Sequence, residues 1–254
     1  MQLTIKHPFL CLPVVSHPKD TRVLKLFDGE KLLLCVYFPF GEAAADNGTY
    51  SYEYLSPLPV SEWMGRTLTL SAEFPAGFED AVTQTDELPV SGEVHPAVHF
   101  TANAGWINDP NGLVYDNGTY HLYYQHNPFG VNWNNMSWGH ATSTDLLHWT
   151  RLPVAMLPDE EGTIFSGCGL TNEHRDEIQA AADSNLYRSL PKDALLFFYT
   201  AAGGSHDSAC SEGKDYTQHT AYSTDHGLTL QKLPGAVVPF LKTDNRDPKV
   251  YWHE

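Results

Sequence analysis

Basic residues are scarce in this 254-residue chain. Fifteen Lys and Arg stand against 31 Asp and Glu, a formal net charge of −16. A protein that neutralises phosphates needs a basic footprint, so nucleic acid is excluded as a partner, as is polybasic docking on an anionic membrane. Long apolar runs are missing too, and none approaches the roughly 18 residues that span a bilayer. The apolar patch Phe9-Leu10-Cys11-Leu12-Pro13-Val14-Val15 does not read as a leader: it is short, contains Pro13, and lacks a basic lead and a small-residue cleavage site. The expectation is a cytoplasmic protein, or an exported one whose leader precedes this numbering. Cysteines are few, and Cys11, Cys35, Cys168 and Cys210 show no paired metal-type spacing. Cys11 and Cys35 are candidates to bridge in an oxidising compartment; otherwise all four are expected free, buried or inert. His121 and His126, and His140 and His148, lack the spacing of a zinc helix in a segment that reads as strand. No metal and no cofactor is expected.

What is plentiful is turn formers and rings: 19 Gly, 17 Pro and 12% aromatic residues. That mix predicts an all-β protein of short strands joined by tight turns. Residues 1–93 read as a small sandwich-like accessory domain with its linker. Val23 to Phe27, the turn Asp28-Gly29 and Lys31 to Phe38 form a hairpin signal, and Arg66 to Ala72 alternates as a half-buried strand. Gly77 to Glu93, acidic and punctuated by Pro and Gly, reads as the linker.

Residues 94–254 have a different texture, with Trp106, Trp133, Trp138 and Trp149, and an internal repeat. Ser143-Thr144-Asp145 returns as Ser223-Thr224-Asp225, Leu152-Pro153 as Leu233-Pro234, and Tyr120 to Tyr124 is echoed by Leu195 to Tyr199. A unit of several short strands that recurs predicts blades of a β-propeller. Glu173 to Asp193 interrupts the second copy as a loop or short helix. Asp247-Pro248 followed by Val250-Tyr251-Trp252 resembles Asp109-Pro110 followed by Leu113-Val114-Tyr115, the first strand of a third blade. About two blades plus one strand leave a sheet edge open, so further blades, from downstream sequence or a second chain, are expected as a partner.

The densest chemistry is Trp106-Ile107-Asn108-Asp109-Pro110-Asn111-Gly112. Asn-Asp-Pro-Asn-Gly reads as a turn cluster, and proline holds the residue before it out of the helical region. Asp109 is expected extended at the head of an inner strand, aimed at a central channel, and the same device applies to Asp247. Downstream lie Gln125, His126, Asn127, Trp133, Asn134, Asn135 and Trp138. Rings that stack on sugar faces and amides that bond hydroxyls are what a carbohydrate pocket needs. Trp149 reads as core. Asn47-Gly48-Thr49, Asn117-Gly118-Thr119 and Asn135-Met136-Ser137 match glycosylation acceptors but read first as turn signals.

Trp106 to Gly112, Phe165-Ser166-Gly167 and Arg246-Asp247-Pro248, in that order, resemble the motifs of glycoside hydrolase family 32, the invertases, inulinases, levanases and related β-fructosidases. Cys168 stands where that family often has serine. The resemblance implies a five-bladed propeller and hydrolysis of β-fructosyl linkages with retention, through a covalent fructosyl-enzyme. It implies Asp109 as nucleophile and Asp247 as transition-state stabiliser. Asn108, Gln125, Trp133, Phe165, Ser166 and Arg246 would line the fructose pocket. The partner would be a fructose-containing oligo- or polysaccharide, of sucrose, inulin or levan type, and polymeric substrates favour a periplasmic or secreted protein. The family's acid/base glutamate falls beyond Arg-Asp-Pro, and neither Glu254 nor another glutamate matches its context. Little turnover is therefore expected from this chain alone, whether it is truncated, one half of a split enzyme, or a degenerate relative that binds fructan without cleaving it.

Overall fold

The computed structural model describes residues 1–42, 49–89, 96–177, 184–242 and 244–253. The N-terminal strands are β1 (Gln2–Thr4), β2 (Phe9–Val14), β3 (Asp20–Asp28), β4 (Lys31–Phe40), β5 (Tyr54–Pro59), β6 (Thr67–Ser71) and β7 (Thr83–Thr85). They form a four-stranded sheet, β1-β6-β3-β4, and a three-stranded sheet, β5-β2-β7. Leu24 and Leu26, Leu34, Val36, Phe38 and Phe40, and Leu68 and Leu70 recur every second residue. Each set therefore lies on one face of its strand, where it shares a core with Leu10, Leu12 and Val14 of β2.

The patch Phe9 to Val15 is mostly strand β2, between β5 and β7. Pro13 is tolerated because β7 pairs only with Phe9 to Cys11, so the missing N–H of Pro13 costs no ladder bond. The stretch from Gly77 is not all linker. Helix α1 (Phe78–Ala81) buries Phe78 in the core and β7 pairs with β2. Of the predicted linker, residues 90–93 lie outside the described residues.

Two antiparallel meanders follow. The first contains β8 (Trp106–Asp116), β9 (Thr119–Asn127), β10 (Ser137–Ser143) and β11 (Thr150–Met156). The second contains β12 (Thr163–Thr171), β13 (Leu195–Ala202), β14 (Tyr216–Ser223) and β15 (Gln231–Lys232), with helix α2 (Ser184–Ser189) between β12 and β13. They pack face to face. The Tyr123 and Phe197 rings meet at 4.9 Å, and Trp138, fully buried, donates its Nε1–H to Phe165 O at 3.1 Å. The internal repeat marks equivalent corners of the two sheets. Ser143 and Ser223 end the third strands, and each hydroxyl bonds the aspartate two residues on. Consecutive up-and-down sheets stacked this way are blades of a β-propeller.

Residues 246–252 form no strand. In both blades the inner strand takes its ladder from the next strand in the chain alone, β8 from β9 and β12 from β13. Val250 to Trp252 have no such neighbour here.

The N-terminal sheets are fastened to the blades. Phe129, from the β9–β10 connection, sits in their core. Asn135, buried, accepts from Tyr37 N at 2.9 Å and donates to Tyr37 O at 2.8 Å. That burial disposes of Asn135 as a glycan acceptor, and Asn117-Gly118, both at positive φ, is the hairpin turn between β8 and β9. Asn47 lies outside the described residues. Cys35 of β4 is disulfide-bonded to Cys210 in the β13–β14 connection, 175 residues away. The expected Cys11–Cys35 bridge is therefore wrong, as is the alternative of four free thiols; Cys11 and Cys168 are free and buried. No helix among the described residues is long and apolar enough to cross a membrane.

Candidate active site

Asp109 and Ser166 stand on the inner strands of adjacent blades, and each occupies a break in the ladder. On β8, Ile107 pairs with His126 and Pro110 with Tyr124, so Asn108 and Asp109 together oppose the single residue Gln125. On β12, Phe165 pairs with Thr200 and Gly167 with Tyr199, which leaves Ser166 as the extra residue. An extra residue bends a strand and re-aims its side chain. Here the Ser166 hydroxyl donates to Asp109 Oδ2 at 2.8 Å, which joins the two blades at their inner edge. The Asn-Asp-Pro-Asn-Gly segment is therefore not a turn before a strand but part of β8 itself. Pro110 fits because β8 is an edge strand, where a missing N–H is harmless.

The rest of the motif builds support. Trp106 Nε1 donates to Asn108 Oδ1 at 2.8 Å. Gln125, buried, donates to Ile164 O at 2.8 Å. The buried Asn111 amide, oriented by its partners, accepts from Gln125 Nε2 at 3.1 Å and donates to Ser166 Oγ at 3.3 Å. Gly112 has φ +51, and a Cβ there would lie 2.9 Å from the Tyr123 ring. One wall of the site is aromatic. Trp133 meets Phe165 edge-on at 5.8 Å and His206 at 5.1 Å, and Tyr216 packs on Phe165.

Arg246 and Asp247 reach the same place from the far end of the chain. Asp247, half-exposed, lies 3.7 Å from Arg246 Nε. Its carboxyl titrates above the usual aspartate range. Burial is the main cause; the Arg246 charge opposes it and the charge of Asp109 adds to it. The placement itself comes from the backbone: the Asp247 N–H donates to Thr200 Oγ1 at 3.0 Å, and Thr200 pairs with Phe165, the residue before Ser166. Asp247 is not extended as its proline predicts. It has φ +61, in the left-handed region, which costs a non-glycine residue about 1–3 kcal/mol and persists only where the surroundings enforce it.

Of the eight residues singled out from sequence, Asn108, Asp109, Phe165 and Ser166 lie on the inner strands, Gln125 on β9 beside β8, Trp133 in the β9–β10 connection, and Arg246 and Asp247 on the segment near the far end of the chain. Sequence reasoning did not assign a site role to Asn111, Thr200, Gln218, Cys168 or His206. Asn111 was visible inside the motif and Cys168 directly after Phe165-Ser166-Gly167; the others carried no local signal. No cluster of three metal-ligating side chains occurs among the described residues. A cleft of about 430 Å³ between β5 and β11 includes none of the eight residues in its lining.

Fold and site together define a β-propeller whose inner edge carries paired carboxylates among amides and aromatic rings. A sequence profile of the glycosyl hydrolases family 32 N-terminal domain matches residues 99–254, and the chain belongs to that family. It is 40% identical over 190 residues to a levanase of Bacillus subtilis, covering 74% of this chain and 25% of that protein. It is 36% identical over 197 residues to a fructan beta-fructosidase of Streptococcus mutans, covering 76% of this chain and 12% of the relative. The fructofuranosidase of Schwanniomyces occidentalis, solved with fructose, superposes with a TM-score of 0.51 at 34% identity, over 63% of this chain and 30% of that one. The chain thus spans a quarter or less of these two curated relatives.

Proposed function

We propose that this chain carries the nucleophile side of a retaining β-fructosidase. Asp109 attacks the anomeric carbon of a fructosyl unit as the glycosidic C–O bond breaks and the departing sugar oxygen takes the proton of the general acid; water then attacks the fructosyl ester, gives its proton back to that acid's carboxylate and frees both fructose and the Asp109 carboxylate. Ser166 orients the Asp109 carboxylate by its hydrogen bond. Asp247 stabilises the oxocarbenium-like transition state through the sugar hydroxyls, with Arg246 beside it. Asn108, Gln125, Trp133 and Phe165 complete the fructose pocket. An acidic pocket suits the positive charge that develops on the sugar, and a retaining pair of nucleophile and acid carboxyls sits about 5–5.5 Å apart. The acid is proposed to come from further blades, and its loss typically costs about 100- to 10,000-fold. The observation that carries the reading is the Ser166–Asp109 hydrogen bond across two blades, with the Asp247 backbone bonded to Thr200, the ladder partner of the residue before Ser166. The Cys35–Cys210 bridge supports export, because disulfides persist in oxidising compartments.

The test is fructose release from sucrose, inulin and levan, by the chain alone and by the chain joined to the remaining blades. The joined form is expected to release fructose, with at least a 1000-fold loss in Asp109→Asn, roughly the scale seen when a nucleophile of a catalytic group is removed. Fructan binding without product in the joined form would make the protein a binding relative instead.

A further inference from the structure

We propose that Thr200 and Gln218 are positioning residues that clamp the Asp247 backbone and thereby set the aim of its carboxylate. The inference rests on the reading of Asp247 given above. Thr200 is fully buried on β13 and Gln218 nearly so on β14, directly opposite it in the ladder. Thr200 Oγ1 accepts the Asp247 N–H at 3.0 Å and donates to Gln218 Oε1 at 2.7 Å. Gln218 Nε2 then donates to Asn245 O at 2.6 Å. The chain of bonds closes a ring around Arg246. Further along, Cys168 Sγ accepts the Val250 N–H at 3.1 Å.

A polar pair buried between two strands is costly unless every hydrogen-bonding atom finds a partner. An apolar pair would fill the same space. Thr200 and Gln218 satisfy each other once and spend their remaining capacity on residues 245 and 247. The backbone of Asp247 is left-handed and its half-exposed side chain has the adjacent Arg246 guanidinium at 3.7 Å, so the fixed point for its backbone is the buried Thr200 hydroxyl. Thr200 also faces Phe165 across the ladder, next to the extra residue Ser166. The clamp therefore ties Asp247 to the same strand break that presents Ser166 to Asp109.

Thr200→Val keeps the shape and removes the hydroxyl, Thr200→Ser restores it, and Gln218→Glu keeps the acceptor for Thr200 while losing the donor to Asn245. Each is compared with wild type and Asp247→Asn in whichever form of the protein releases fructose. Thr200→Val is expected to lower kcat by about 100-fold, the scale of a misplaced reacting group, with KM little changed and the protein still folded at the assay temperature, although the orphaned Gln218 oxygen lowers its melting temperature somewhat. Thr200→Ser should recover most of the loss, and Gln218→Glu should fall between them. If Asp247→Asn is inactive but Thr200→Val turns over like wild type, the clamp is wrong and the site reading stands. A Thr200→Val whose activity falls only in step with its melting temperature, unrescued by serine, reduces the pair to a structural role. If Asp247→Asn remains active, or no form releases fructose, the site reading fails and the clamp falls with it.

Discussion

Single residues set the charge state of the interior. His126 donates its Nδ1–H to Trp106 O at 2.9 Å, and burial pushes its pKa down to about 4. His140, stacked on Tyr123 at 4.2 Å and hydrogen-bonded to His121 at 3.1 Å, is driven down to about 3, chiefly by burial and also by His121. Both are neutral in the folded protein below the pH at which the unfolded chain protonates them. Stability from these groups is complete above about pH 6.5 and falls as the unfolded state alone takes up protons, down to the folded pKa values. Each unit of depression is worth about 1.4 kcal/mol, so His126 alone accounts for up to about 3 kcal/mol lost by pH 4. Thermal melts between pH 7 and 4 should show this slope, and His126→Gln should flatten it. An unchanged slope would mean that the ring is protonated in place. At this scale the motif was legible: Asp109 and Ser166 were named from sequence and meet in space. Asn111 and Thr200 were given no role, because a buried amide or hydroxyl acquires its role only from strands brought beside it.

Among elements, the inner strand β8 shows how far local propensity was overruled. Asn, Asp, Pro, Asn and Gly in succession favour a turn, yet Trp106 to Asp116 is one strand. The ladder accommodates the poor strand formers by two breaks, one at Asn108–Asp109 and one at Gly112–Leu113. Gly112 sits at the second break, against Tyr123, Phe197 and Trp138 at the seam between blades. Gly112→Ala needs φ +51 and pushes a methyl into that seam. It is expected to destabilise by about 1–3 kcal/mol, the usual cost of overpacking, read as a lower urea midpoint with an unchanged slope. A neutral result would show that the seam has room to yield. Tertiary packing likewise turned part of the predicted linker into α1 and β7, since Phe78 is an apolar anchor that an acidic composition conceals. Asp247 shows the converse, a residue held in the left-handed region against the preference its proline imposes.

Over the whole molecule, the N-terminal sheets and the second blade are joined by a bond that local patterning does not announce. Cys35 and Cys210 close a loop of 175 residues, and a bridge over so long a loop stabilises by about 2–5 kcal/mol. Reduction, or Cys35→Ser with Cys210→Ser, should lower the melting temperature and separate the unfolding of the N-terminal module from that of the blades. A single unshifted transition would show that Phe129, Asn135 and the module core hold the two parts together unaided. The sequence alone determined the β class, the repeated blade, the family motifs and the acidic, amide- and ring-rich pocket, because alternation, turn residues and short motifs are properties of neighbours in the chain. Tertiary structure alone decided which cysteines pair, which strand breaks aim Asp109 and Ser166 at each other, and what clamps Asp247. Those contacts join residues dozens to nearly two hundred positions apart, and only the packing of blade on blade, and of the N-terminal sheets on the blades, brings them within bonding distance.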